Sequence, residues 1–203
     1  MGFASRSVSI MRYRVKGEVE GSFWDVIDEG VKRHAFREIV GPGDEVGMGW
    51  VASEDFTDSE FQGASYMFGS YVALSLRVDT ARVPSKILEM HLKQETKKLL
   101  EESGRQRLSS GQRRELKDNL REALKSRVFP SIQVFDVMWD TSRSVVYFGS
   151  LSIKARERVE DHFKKSFGLT LIPLIPYMRA EEILSDAAAK AALEKLSPSS
   201  MAP

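Results

Sequence analysis

The chain has 203 residues, of which 42% are apolar and 29% are charged, and these ordinary globular proportions exclude collagen-like and wholly disordered proteins. It contains no cysteine, which excludes disulfide frameworks, thiolate nucleophiles and cysteine-ligated zinc. No apolar run approaches the roughly 20 residues of a membrane span, and no signal-peptide core precedes the first arginines, so we expect a cytoplasmic protein without a membrane partner.

The first part of the chain predicts the element order β-α-β-β. Apolar periodicity indicates a strand, a helix and two further strands, in that order, over residues 5–15, 23–35, 46–52 and 66–78. Ser22 is a candidate N-cap of the helix, and Asp25 follows three residues later as in a capping box. Gly-Pro-Gly at 41–43 breaks the chain after that helix.

From residue 84 the apolar period is helical through two consecutive segments. Pro84 is well placed as an initial helical residue, and Gly104 is well placed as a stop. The second helix begins near a cap at Ser109 or Ser110. The pattern therefore predicts an inserted helical hairpin over residues 84–129.

The last part of the chain predicts β-β-α-β and a final helix, over residues 132–139, 145–149, 153–167, 169–175 and 179–196. This order resembles the first part, so we predict an α+β fold in which two similar halves form an antiparallel sheet around the inserted basic hairpin. The expected division is an α+β core over 1–83 and 130–178, the hairpin over 84–129, a C-terminal helix over 179–196 and a disordered tail over 197–203.

Charge is unevenly distributed although the net charge is only +1. Residues 1–60 carry seven basic and twelve acidic side chains, whereas residues 86–127 carry twelve basic and seven acidic. Dense cations along two helices are suited to nucleic-acid phosphates. Mixed charges three and four residues apart are also typical of an ordinary solvated helix face, so charge alone leaves both interpretations open.

Several short segments, in this order and spacing, resemble the recombination-associated RdgC family over roughly residues 5–177. They are Met-Gly-Trp-Val at 48–51, the strand ending at Arg77, Pro-Ser at 84–85, Leu-Lys-Asp at 116–118 and Arg-Val-Phe at 127–129. The resemblance implies a sequence-nonspecific double-stranded DNA-binding protein that forms a ring-shaped homodimer and restrains RecA-type strand exchange. It also implies association with the nucleoid, and the family is often described as an exonuclease.

The resemblance assigns Phe129 to a dimer interface, because it matches an aromatic residue that the family uses after the hairpin. Similar RdgC proteins continue with another domain after the position of Pro176, and that domain supplies a second dimer contact. We therefore expect a short member of the family, with an open clamp or a different assembly surface as alternatives to a closed ring.

The sequence contains little that indicates an enzymatic function. His34, His91 and His162 have no metal-ligand spacing, and no nucleophile elbow or P-loop is present. A glycine-rich stretch over 41–49 lacks the Gly-Lys-Ser/Thr ending and is more typical of a turn entering a strand. We expect no cofactor, no bound metal and no enzymatic activity.

Two groups of carboxylates are nevertheless candidates for a metal-dependent exonuclease. The first is a polar loop with four acidic side chains, Glu54, Asp55, Asp58 and Glu60, which turn formation and solvation also explain. The second is Asp79 with Glu95 and Lys97, which imitates a nuclease pattern. That pattern requires a strand, and on a helix Glu95 and Lys97 point about 200° apart.

The sequence thus predicts a DNA-binding protein that modulates homologous recombination by occupying duplex DNA. The predicted phosphate contacts are basic side chains of the hairpin, the strand before it and the later helix: Arg77, Lys93, Lys97, Lys98, Arg105, Arg107, Arg113, Arg114, Lys117, Arg121, Lys154, Arg156 and Arg158. A protein-interaction scaffold, whose hairpin docks another protein or a second copy, is the alternative from another class, and the exonuclease is the third.

Overall fold

The computed structural model describes residues 3, 7–39, 45–104, 106–125 and 127–196. Within these residues the chain forms seven strands and six α-helices, in the order β1 (Met11–Lys16), α1 (Phe23–Arg33), β2 (Val46–Ala52), β3 (Met67–Phe68), β4 (Tyr71–Thr80), α2 (Ser85–Ser103), α3 (Ser110–Lys125), β5 (Ser131–Asp140), β6 (Val145–Phe148), α4 (Ile153–Phe167), β7 (Thr170–Pro173), α5 (Pro176–Ile183) and α6 (Ala187–Glu194). A short 3-10 helix precedes β3. None of these helices is both long and apolar enough to cross a bilayer.

The strands form one open antiparallel sheet in the order β2-β4-β5-β6-β1-β7, and β3 pairs with β4 outside this path. Tyr13 in β1 lies opposite Val146 of β6 on one side and Pro173 of β7 on the other. The element order is β-α-β-β-β before α2 and α3, and β-β-α-β followed by α5 and α6 after them. This combination of helices with one antiparallel sheet confirms the predicted α+β class.

The chain divides into two compact units. Unit 1 comprises Met1–Ala35, Trp50–Leu76 and Phe135–Pro203, and unit 2 comprises Phe36–Gly49 and Arg77–Val134. Unit 2 therefore contains the whole of α2 and α3, whereas α1 and α4 belong to unit 1.

Helices α1 and α4 pack closely in the core of unit 1. A Cβ added to Gly30 of α1 would lie 2.4 Å from the backbone oxygen of Ser166 in α4, so only glycine permits this approach. Trp50 is fully buried, and its indole Nε1 donates to Ser166 Oγ at 2.8 Å. Aromatic side chains of α4, among them Phe163, complete this apolar core.

The predicted start of α1 is correct, but the predicted capping box is wrong. Ser22 is the N-cap residue, yet its side chain makes no capping hydrogen bond. Only its backbone oxygen takes part, accepting from Val26 N at 3.1 Å. The helix also ends at Arg33 instead of Ala35, because Ala35 leaves the helix and forms a bridge with Trp50.

Three predicted strands are shorter or divided. The first strand was predicted to begin near residue 5, but among the described residues it begins at Met11. Residues 5 and 6 lie outside the described residues. The strand predicted over 66–78 is divided into the two-residue strand β3 and the long strand β4, which form a hairpin because Gly69 adopts φ 62° and turns the chain between them. The closing strand likewise covers only Thr170–Pro173.

The single C-terminal helix predicted over 179–196 is wrong, because α5 and α6 are separate helices. Leu184 ends α5 in an extended conformation with ψ 117°. Asp186 then caps α6, and its side chain accepts from the backbone of Ala188 and Ala189. The predicted tail over 197–203 and the Gly-Pro-Gly break at 41–43 lie outside the described residues.

Candidate nucleic-acid interface

The first helix of unit 2, α2, has well-defined ends. Pro84 is its N-cap instead of its first helical residue, and the Pro84 carbonyl accepts from Leu88 N at 3.1 Å. At the other end Gly104 takes the left-handed conformation with φ 62°, which stops the helix as predicted.

The second helix, α3, begins at a reciprocal capping box. Ser109 Oγ accepts from Gln112 N at 3.2 Å, and Gln112 Oε1 accepts from Ser109 N at 3.1 Å. Ser109, and not Ser110, is therefore the cap. This arrangement satisfies backbone N–H groups that the first turn leaves without helical partners.

An apolar contact joins the two helices. Leu88, near the start of α2, is buried with Leu124, near the end of α3, and with Val83. Leu120 and Val128 pack against this cluster. The start of one helix thus meets the end of the next, and most other side chains of the helix pair (α2 and α3) are exposed.

Helix α2 has no net charge, since it contains four basic and four acidic residues. Three of its lysines lie near a carboxylate one turn away: Lys93 Nζ is 3.1 Å from Glu89 Oε1, Lys97 Nζ is 3.8 Å from Glu101 Oε1, and Lys98 Nζ is 2.6 Å from Glu95 Oε1. These are exposed pairs three or four residues apart, so each stabilises the helix by only a few tenths of a kcal/mol. The predicted DNA contacts on α2 are therefore locally compensated.

Helix α3 is different, because it has five basic and three acidic residues and separates them by face. At about 100° per residue, its first four cations fall in one sector about 100° wide, which we name the basic face of α3: Arg113, Arg114, Lys117 and Arg121. The three carboxylates, Glu115, Asp118 and Glu122, fall in a neighbouring sector about 60° wide.

Three members of the basic face carry uncompensated charge. Arg113, Arg114 and Lys117 are exposed, and none of them has an ion-pair partner within the described part of the chain. Arg121 is half-buried, with its Nη1 3.5 Å from Asp118 Oδ1. Exposed cations without local carboxylates are the groups that anionic ligands can reach without displacing a protein partner.

The segment between α2 and α3 contributes one further described cation. Arg107 is exposed ahead of the capping box of α3. The predicted contact Arg105 lies outside the described residues. Positive charge in unit 2 is therefore concentrated from Arg107 onward instead of being spread over both helices.

Arg77 is placed differently from the other predicted contacts. Its side chain is only 12% exposed, and Nη2 lies 2.7 Å from Asp79 Oδ2 while Nε donates to Oδ1 at 2.9 Å. The guanidinium also sits 4.1 Å from the centre of the Phe36 ring. This bidentate hydrogen bonding to Asp79 raises the pKa of Arg77. Asp79 is thus the ion-pair partner of Arg77.

The predicted contacts on α4 belong to unit 1. Lys154 is exposed in its first turn, whereas Arg156 and Arg158 are half-buried. Arg156 Nε donates to the hydroxyl of Tyr13 at 3.2 Å, so this guanidinium already supports the core strand β1.

Phe129 follows α3 and is the most exposed of the large apolar side chains described, at 95%. Because this ring contacts water over almost its whole surface, it buries almost no apolar area within the fold. The dimer contact predicted for this residue remains a prediction.

The acidic loop before Tyr66 is built by turn hydrogen bonds. Asp55 Oδ1 accepts from Thr57 N and Thr57 Oγ1, and this holds the pKa of Asp55 below its usual range. Asp58 Oδ1 accepts from Glu60 N and Phe61 N. Among the described residues no three His, Asp, Glu or Cys side chains are grouped as metal ligands would be.

His34 and His162 are brought together although the sequence separates them widely. Their rings are 5.8 Å apart, and His162 Nε2 lies 3.2 Å from the carbonyl oxygen of His34. A carbonyl can only accept, so Nε2 carries the proton of the neutral ring. Burial is the largest cause that lowers the pKa of His162 to about 4; the hydrogen bond to the His34 carbonyl opposes this shift, and electrostatic interactions with His34 and Lys165 add to it.

One basic site was not predicted from the sequence. Arg12, Arg14 and Arg179 line a common pocket of unit 1. The spacing of Arg12 and Arg14 along β1 could have indicated part of this site, because side chains two apart share one face of a strand. The third arginine comes from α5, which only the folded chain places there.

A comparison with family models identifies the family of the chain. A search of curated proteins found no match. The family model described as "Putative exonuclease, RdgC" matches residues 8–195, which is nearly the whole chain. The chain therefore belongs to the RdgC family of recombination-associated proteins.

Proposed function

We propose that this protein binds double-stranded DNA without sequence specificity, through the basic face of α3. The observation that carries the proposal is the separation of charge on this helix, with Arg113, Arg114 and Lys117 exposed and without ion-pair partners in the described chain. Such a face approaches a row of phosphates while the carboxylates point to the side. No base-reading element is needed, because phosphate contacts carry no sequence information.

The test is a titration of the protein against a labelled random duplex at several salt concentrations. The wild type is compared with an Arg113→Glu, Lys117→Glu double variant. The control is Lys190→Glu, Lys195→Glu, which makes the same change in net charge at exposed positions in and after α6. Because log affinity falls with log salt by about 0.9 per phosphate contact, the α3 variant is expected to reduce the slope by about 2.

Two outcomes would contradict the assignment of these residues. One is an unchanged slope and affinity in the α3 variant. The other is an equal loss in the control, which would mean that net charge alone drives binding. Circular dichroism of both variants checks that folding is retained.

We further propose that the protein forms a homodimer through Phe129 and limits RecA-type strand exchange by occupying duplex DNA at the nucleoid. The exposure of the Phe129 ring supports a contact with a second copy. Light scattering of Phe129→Ala is expected to show monomer where the wild type shows dimer. A strand-exchange assay with a RecA-type recombinase is expected to show inhibition by wild type and none by the Arg113→Glu, Lys117→Glu variant.

Binding without cleavage is part of the proposal, although the family description names an exonuclease. The hydrogen bonds that Asp55 and Asp58 accept within their own loop support a turn-forming role for both. The duplex titration therefore runs in parallel with Mg²⁺ and with EDTA. Intact DNA in both series is expected, and Mg²⁺-dependent shortening that disappears in Asp55→Asn or Asp58→Asn would establish the nuclease instead.

The protein-interaction scaffold remains the alternative from another class. It is favoured by a single observation, that the helix pair presents exposed apolar side chains such as Ile87 and Met90 beside its charges. Absence of salt-dependent duplex binding by the wild type would leave this function as the better explanation.

A further inference from the structure

The outer face of β1 in unit 1 carries a row of arginines. Met11 and Tyr13 point into the core, so Arg12 and Arg14 point to the opposite face. The hydroxyl of Tyr13 contacts α4 through Arg156, which places α4 on the side away from these two arginines.

Neighbouring elements close this row into a pocket of about 270 Å³. On β6, Tyr147 lies opposite Arg12 and Val145 lies opposite Arg14. Beyond β7 the chain enters α5, whose Arg179 adds a third guanidinium to the lining. The remaining lining side chains are apolar, and no carboxylate lines the pocket among the described residues.

The two arginines of β1 are held to different degrees. Arg14 Nη1 donates to the carbonyl oxygen of Arg143 at 3.1 Å, which fixes its position. Arg12 is exposed and has no hydrogen bond or ion pair from its side chain within the described residues. On β1 the pocket therefore presents one positioned guanidinium, of Arg14, and one, of Arg12, that is available for an incoming anion.

From this geometry we propose that the pocket binds a phosphate group. Guanidinium groups match phosphate oxygens bidentately, and a phenol hydroxyl is a further donor. The pocket is smaller than the roughly 300–1,000 Å³ of sites that enclose a drug-sized ligand, so it holds a phosphate with part of its carrier. The apolar wall suits the face of a sugar or base. The phosphate belongs to a free mononucleotide or to a nucleic-acid strand, and the experiment separates these sources.

The test is calorimetry of the full-length protein with deoxyadenosine monophosphate, inorganic phosphate and, as the uncharged probe, deoxyadenosine. Binding is expected for both phosphates and not for deoxyadenosine. Arg12→Ala is expected to weaken binding of the monophosphate about tenfold, the loss typical of charge-assisted hydrogen bonds. Arg37→Ala, another exposed arginine outside the pocket, is the matched control and is expected to bind as the wild type does.

Two further arms identify the source of the phosphate and separate this proposal from duplex binding by α3. If the phosphate comes from a nucleic-acid strand, Arg12→Ala also weakens duplex binding; if it comes from a free nucleotide, duplex binding is unchanged. The Arg113→Glu, Lys117→Glu variant is expected to retain monophosphate binding, even if it loses the duplex. Absence of binding by the wild type, or equal affinity of Arg12→Ala and wild type, would overturn the proposal.

Discussion

The buried His162 is expected to make unit 1 sensitive to mild acid. Its side chain is only 6% exposed, and it lies between the His34 carbonyl and the Trp50 ring, whose centre is 4.9 Å from its own. Burial is the largest cause that lowers its pKa from 6.5 to about 4. The folded protein therefore holds the ring neutral at pH values where the unfolded chain binds a proton.

The sign and size of the effect follow from this difference. Because the folded-state pKa is the lower one, the stability from His162 is fully present above pH 6.5 and is lost as the pH falls toward 4. With the value of about 4, the free energy of unfolding falls by about 2 kcal/mol between pH 7 and pH 5 and by about 3 kcal/mol by pH 4.

The assay compares urea unfolding of the wild type and His162→Gln at pH 7 and pH 5. Glutamine retains an N–H donor for the His34 carbonyl but does not titrate. Any packing cost of the substitution is independent of pH, and titration of other groups is common to both proteins. The wild type is expected to lose about 2 kcal/mol more than the variant over this interval. Equal losses would show that His162 is not kept neutral by burial.

Three further substitutions and one control test the packing and the helix ends. Leu88→Ala is expected to lower the free energy of unfolding of unit 2 by about 2–4 kcal/mol, measured by urea denaturation, because it leaves a cavity in a small buried cluster. Gly30→Ala is expected to cost about 3 kcal/mol by the same assay, because its Cβ would meet the backbone oxygen of Ser166. The control Gly111→Ala is expected not to destabilise, because its Cβ would lie an ordinary 4.0 Å from the nearest atom, Ser109 Oγ. Ser109→Ala is expected to lose about 1 kcal/mol of stability, and no change would mean that the capping box contributes nothing.

Local sequence signals predicted several elements because their ends are determined locally. The predicted bounds of β2 and α4 match the structure, and Gly168 stops α4 in the left-handed conformation. The last helix was mispredicted because an apolar period continues across Leu184, while Asp186 offers the backbone a competing cap. Periodicity alone does not register that competition.

Some contacts in the described chain join residues far apart in the sequence, so no local pattern contains them. The pairing of His162 with His34 and of Trp50 with Ser166 joins residues more than a hundred positions apart. The ion pair between Arg77 and Asp79 could have been predicted from the sequence, because residues two apart on a strand share a face. The number of basic residues alone does not distinguish α2 from α3. The two helices differ in whether basic and acidic side chains share a face.

That difference decides which helix contacts DNA in the proposed function. The lysines of α2 have carboxylates one turn away, so a phosphate that reaches Lys93 also approaches Glu89. On α3 the carboxylates lie on a neighbouring face, and Arg113 and Lys117 present their charge alone. Reversal of Lys93 and Lys97 is therefore expected to weaken duplex binding less than reversal of Arg113 and Lys117, although both change the net charge equally. Equal losses would mean that the helix pair acts through its summed charge, and the arrangement of charge on α3 would then have no part in binding.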